Sequence, residues 1–166
     1  MENKSAEHLK SLEKLVAALK ILGYNFTNFE CSKIQRIVFQ KLVYALQRAG
    51  GFSLGYNYNL YINGPYCPSL ADDGYFITRN QIDSDSFKFS QTGLVKIANA
   101  KAFLAENTLD SDWLETICTL DYLYTFASYR DDKEKLYDKF RELKPHLCSQ
   151  ERLDRALIQI QSLHLA

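Results

Sequence analysis

Leu12, Leu15, Val16, Leu19 and Leu22 recur at helical spacing while Lys10, Glu13, Lys14 and Lys20 fall on the opposite side, which is the pattern of an amphipathic helix. Ser5 stands where a cap belongs and Gly23 where a stop belongs, so a first helix is predicted to about Leu22. Ile34, Ile37, Val38, Leu42, Ala45 and Ala49 make a second stripe, predicting a helix from Ser32 to about Ala49 that Gly50-Gly51 ends. The pattern then changes period. From Tyr56 to Asn63 it alternates, with Tyr56, Tyr58, Leu60 and Ile62 on one face and mostly asparagines on the other, as in a half-buried strand.

That strand runs into Gly64-Pro65-Tyr66, where glycine permits and proline imposes an unusual path, so a sharp turn is predicted. Pro68 to about Asp73 reads as a short helix that Gly74 closes. Tyr75–Ile82 and Phe87–Phe89 are rich in aromatic and β-branched residues, predicting a two-stranded wing joined by Asp83-Ser84-Asp85-Ser86. Ser90 is placed to cap a helix through about Glu106, and Asp110 or Ser111 another through about Ser128. Asp131–Leu143 and Ser149–His164, separated by Lys144-Pro145, complete the chain.

This order fits a mainly α (α+β) fold: a helical bundle with a winged-helix-like core and a small antiparallel sheet. At 166 residues, one domain over 1–166 is expected, with the core at about 32–106, a helix before it and a helical extension over 110–164. Twenty basic against twenty acidic residues give a formal net charge of zero, which removes any general attraction to phosphate or anionic lipid. The opening Met1-Glu2-Asn3-Lys4-Ser5 leads into a segment broken by charges, unlike a secretory signal, and no stretch is apolar for long enough to span a bilayer. A cytoplasmic location is expected. Cys31, Cys67, Cys118 and Cys148 show no paired spacing and read as buried reduced thiols.

Lys33-Ile34-Gln35-Arg36-Ile37-Val38-Phe39 resembles the K-L-Q-K-hydrophobic-hydrophobic-aromatic helix of prokaryotic YwgA-like proteins and of the related Panacea (SocA-like) antitoxin domains. Tyr61-Ile62-Asn63-Gly64-Pro65-Tyr66 with Leu70 is similar to their Y-x-Y-G-P-Y/V segment. Phe87 to Gly93 is similar to their strand-then-helix, and Leu143-Lys144-Pro145 with Ser149–Ala156 to the final turn and helix of the YwgA-like members. The resemblance covers roughly 32–163. It implies a winged-helix-like fold and, from the Panacea side, neutralisation or adaptation of a partner protein by direct binding. The sequence departs from both groups in its short Cys67–Gly74 segment, where the resemblance implies a longer helix.

Lys33, Arg36, Lys41 and Arg48 are the densest basic set. Lys41 and Arg48 stand at the border of the apolar stripe, either solvated with their stems along it or paired with acidic groups of another helix or a partner. Arg36 is expected to point away with Gln40 and Gln47. Tyr61 and Tyr66 could border a protein-binding groove. For duplex DNA, Arg79 and Lys88 could touch phosphates from the wing, but Asp72 and Asp73 in the short helix, and Asp83 and Asp85 at the tip, oppose it. Asp121 projects toward the apolar side of its helix as a candidate buried carboxylate, which needs a partner. His146 and Cys148 lack companions for a metal, and no nucleophile, phosphate-loop or thiol-redox motif occurs. The expectation is therefore a non-enzymatic regulatory protein without cofactor or metal. Its partner-binding residues would be Lys33, Arg36, Lys41, Arg48, Tyr61 and Tyr66. Another protein is the expected partner, a homodimer an open arrangement, and duplex DNA the alternative.

Overall fold

The computed structural model describes residues 4–165, the side chain of residue 106 excepted. Met1, Glu2 and Asn3, part of the stretch read for export, lie outside the described residues. Among the described residues there are seven α-helices: α1 (Ala6–Ile21), α2 (Lys33–Arg48), α3 (Pro68–Arg79), α4 (Gln91–Leu104), α5 (Ser111–Phe126), α6 (Lys133–Leu143) and α7 (Gln150–Leu165). The sheet that these residues form is a hairpin of β1 (Asn59–Tyr61) and β2 (Gly64–Tyr66). The protein is thus mainly helical with a small antiparallel sheet, and no described helix is long and apolar enough to cross a membrane.

The helix starts follow from side-chain caps. Ser5 Oγ accepts from His8 N, Ser32 Oγ from Gln35 N, Ser90 Oγ from Gly93 N, and the Asp110 carboxylate from Asp112 N and Trp113 N, each satisfying amides that the first turn leaves free. α2 and α5 form the centre. α5 packs on α2, α6, α7 and β2, and α2 packs on α3, α4 and β2. Every residue from Val38 to Leu46 and from Trp113 to Asp121 is buried. A helix buried all round cannot send its polar residues to water, and Gln40, Lys41, Glu115, Thr116 and Asp121 find partners inside, whereas Thr119 Oγ1 has none among the described residues. That constraint shapes everything below.

Three sequence expectations give way here. The helix starting at Pro68 does not close at Gly74 but continues to Arg79, because Leu70, Asp73, Gly74 and Ile77 bury one face at helical spacing. The residues 75–79 read as a wing strand are its last turns, and Thr78 Oγ1 donates back to Gly74 O at 2.9 Å. No strand forms at 87–89 either, so the small antiparallel sheet lies not at 75–89 but in the 59–66 hairpin. Gly64, Pro65 and Tyr66 are that hairpin's second strand, with Tyr61 paired to Gly64 and the turn at Ile62-Asn63.

Gly74 sits inside α3 because rings occupy the place of a side chain. An added Cβ would stand 2.4 Å from Phe29 Cζ and 2.8 Å from Phe39 Cε1, and those two rings meet edge to face at 5.3 Å. Gly74→Ala gains about 1 kcal/mol of helix propensity but overpacks the core by about 1–3 kcal/mol. The expected result is a net loss of stability in urea unfolding, although propensity alone predicts a gain.

Candidate functional site

Three buried polar clusters surround α2 and α5. The first lies beneath the hairpin. Lys41 is 1% exposed, and its Nζ donates to Pro65 O at 2.7 Å. Lys144, also 1% exposed, donates to Glu115 Oε1 and to Ile62 O. Glu115 is buried on α5, so both the carboxylate and the hairpin carbonyl depend on this one ammonium. Burial is the main force on the Lys41 amine and pushes it down to about 8, with the nearby Glu115 working against that and Lys144 reinforcing it. Its bond to Pro65 O needs only an N–H, which the neutral amine retains. Gly64 completes the fit: at φ +89° it lies against the α5 face, where a Cβ would stand 2.4 Å from Thr119 Oγ1. Thr119 Oγ1 is itself buried without a hydrogen-bond partner among the described residues.

The result is a hairpin clamped from below with its turn outward. Ile62 is 88% and Tyr61 49% exposed, and the Tyr61 and Tyr66 rings meet edge to face at 5.3 Å. The predicted alternation holds for Tyr56, Tyr58 and Leu60, which are half-buried. It ends at Ile62, which belongs to the turn.

The second cluster holds Asp121, which is fully buried. Its Oδ2 accepts from Tyr44 Oη at 2.6 Å and from Arg48 Nε at 3.1 Å. Arg48 Nη2 reaches Thr125 Oγ1 at 3.0 Å and His164 Nε2 at 3.1 Å. Burial raises the Asp121 carboxyl above its ordinary value, against Arg48 and the Tyr44 hydrogen bond. Burial, then Arg48 and Arg130, lower the His164 ring, which lets His164 serve as a neutral acceptor for the guanidinium.

The third cluster corrects the reading of the α3 carboxylates. Asp73 is not a free charge: Lys4 Nζ lies 2.8 Å and His8 Nε2 3.0 Å from Oδ1, and Tyr56 Oη donates to Oδ2 at 2.7 Å. Burial pushes its carboxyl up, but the Lys4, Tyr56 and His8 hydrogen bonds outweigh this and hold it below the usual carboxylate range. A depressed native value means that the unfolded chain takes up the proton first as pH falls, so this contribution is complete above the unfolded value and is lost progressively as pH falls from there through the lower native value. Asp121, with its raised value, acts in the opposite sense. Asp73→Asn should therefore lower stability by about 1–2 kcal/mol at neutral pH, and thermal melts of the two proteins should converge as pH drops below about 4.

The sequence-derived partner residues do not form one surface. Lys41 is buried under the hairpin and Arg48 is held by Asp121, so both leave the set: a central helix packed on all sides turns its border lysine and arginine into internal donors. Arg36 Nη1 binds Phe29 O at 2.9 Å and Glu30 O at 2.8 Å, fastening the α1–α2 loop. Lys33 is exposed. Gln40 and Gln47 do not face water as expected, because the 51–67 segment covers them. Gln40 exchanges two bonds of 2.9 Å with the Cys67 backbone, and Gln47 bonds of 2.9 and 3.0 Å with that of Tyr56.

Arg79 and Lys88 share no wing. Arg79 ends α3, pairing with Glu30 at 2.7 Å and lying over Tyr75, while Lys88 is exposed in an irregular segment. Of the cysteines, Cys67 and Cys118 are buried, but Cys31 is exposed. Lys144 and Glu115 escaped the sequence reading, the only signal being a lysine held extended before Pro145. Compared with protein-family models, with curated proteins and with solved structures, the chain matches none.

Proposed function

We propose that this chain is a non-enzymatic interaction protein of the prokaryotic cytoplasm that binds a partner protein, as an antitoxin or adaptor does, through the tip of the 59–66 hairpin. The observation that carries this reading is Ile62, 88% exposed on a turn whose carbonyl is gripped by a buried lysine. An apolar anchor on a fixed backbone has already lost its ordering entropy on folding, so it docks into an apolar pocket at low further cost. Tyr61 and Tyr66 flank it as amphipathic contact area, and Lys33 remains available among the basic candidates. The YwgA-like and Panacea resemblance supports the same class.

Duplex DNA is the second reading. It is favoured by the twelve-residue length of α3 and by the neutralisation of Asp73, and opposed by Asp72, still exposed on that helix. Co-purification from the native host, with neighbouring gene products tested one at a time, separates the two. The expected result is a stoichiometric complex with one product that Ile62→Asp abolishes while the melting temperature stays within a degree or so, since a surface change away from special contacts alters stability by roughly 0.5 kcal/mol or less. Tight duplex binding that weakens steeply with salt, and is lost on removing Arg79 and Lys88, would replace this reading with the other.

A further inference from the structure

Beside the Asp121 cluster a slot of about 450 Å³ opens between the C-terminal half of α2, residues 56–58 and the C-terminal part of α5. Its volume is that of a small-molecule site. Tyr44, Tyr56, Tyr58, Tyr122 and Phe126 line it, together with Arg48. Three of the tyrosine hydroxyls are committed to the protein: Tyr44 to Asp121, Tyr56 to Asp73 and Tyr58 to Gln40 O. Their rings are left to form the wall. Tyr44 and Tyr58 meet edge to face at 5.2 Å, and Tyr122 and Phe126 pair at 5.3 Å. Phe126, a large ring of the lining, is 60% exposed.

The charge in the slot is directional. Arg48 uses Nε on Asp121 and Nη2 on Thr125 and His164, whereas Nη1 donates no hydrogen bond among the described residues. Asp121 is fully buried behind it and shared with Tyr44, and its side chain takes no part in the slot lining. Arg130, over the Tyr124 ring, adds a second positive charge near His164. A ligand entering the slot therefore meets aromatic walls and one guanidinium that is already paired with Asp121 but keeps a spare donor.

We propose that this slot binds an aromatic monoanion, a flat aryl or heteroaryl ring carrying a short carboxylate arm as in an arylacetate, with the ring among the tyrosines and Phe126 and the carboxylate on Arg48 Nη1. The ring gains apolar burial and edge or face contacts, and the carboxylate gains a charge-assisted hydrogen bond.

The test is calorimetric titration of the full chain with indole-3-acetate, with its neutral analogue indole-3-acetamide and with acetate, which lacks the ring. The expected result is that indole-3-acetate binds with a submillimolar Kd, roughly tenfold or more tighter than either of the others. Phe126→Ala and Tyr122→Ala should each weaken it by about tenfold, with melting temperatures showing that both variants are folded. The assignment is overturned if indole-3-acetate fails to bind below millimolar concentration, if the neutral amide binds as tightly, or if neither variant changes the affinity.

Discussion

Lys144→Met is expected to lose about 3–5 kcal/mol of stability. The ammonium is 1% exposed and is what Glu115, itself 5% exposed, has for a counter-charge. Methionine fills the space but leaves a buried carboxylate unpaired and the Ile62 carbonyl without its donor. Urea unfolding measures the loss. Adding Glu115→Leu removes the stranded charge, and apolar replacement of a buried ion pair is often neutral or better, so the double variant should recover most of the stability. It should not recover the clamp. Amides of residues 59–64 and 66 should exchange with solvent faster in the double variant than in the wild type at equal global stability, which separates the role of Lys144 in folding from its role in holding the hairpin.

Asp121→Ala should cost about 3 kcal/mol, at the lower end for a broken buried pair. The reason lies in what is left behind. Arg48 retains 20% side-chain exposure, so its guanidinium can turn to water, whereas the Tyr44 hydroxyl is buried and loses its acceptor. For a chain of 166 residues this corresponds to a fall in melting temperature of roughly 6–12 °C. Asp121→Asn keeps an acceptor for Tyr44 and for Arg48 and should cost about half as much. A double-mutant cycle with Arg48→Met then gives the coupling between the two side chains directly. Full stability in both Asp121 variants would remove Asp121 from any structural role.

Legibility in the sequence divided along a physical line. The helix starts at Ser5, Ser32, Ser90 and Asp110 could be read because a cap acts within one turn of its own chain. Gly74 was unreadable for the opposite reason: its place inside α3 depends on Phe29 and Phe39, more than thirty residues away. The aromatic and β-branched run after it carries strand propensity, yet the long-range burial of Leu70 and Ile77 makes it helical. The site divided in the same way. Asp121 could be singled out because a carboxylate on an apolar stripe conflicts with its own helix, and Arg48 could be offered as its kind of partner. Lys144 shows no such conflict, since nothing around a Lys-Pro turn says that the lysine folds inward. Gln40 and Gln47, two helical turns apart, looked like a wet face and are clasps for the segment that covers it.

These buried donors give the hairpin its meaning. Two lysines from distant parts of the chain hold the carbonyls of Ile62 and Pro65, and the glycine between them fits only without a side chain. The cost of burying two ammonium groups falls on the whole fold, while its local effect is one fixed turn with Ile62 outward.

Amide hydrogen exchange on the protein with and without the partner captured by co-purification tests this account most directly. Tyr61, Ile62, Asn63 and Gly64 should gain protection on complex formation, with α3 and the 80–90 segment unchanged. New protection along Pro68–Arg79 with the hairpin unaffected would contradict it, placing the working surface on the helix and not on the turn.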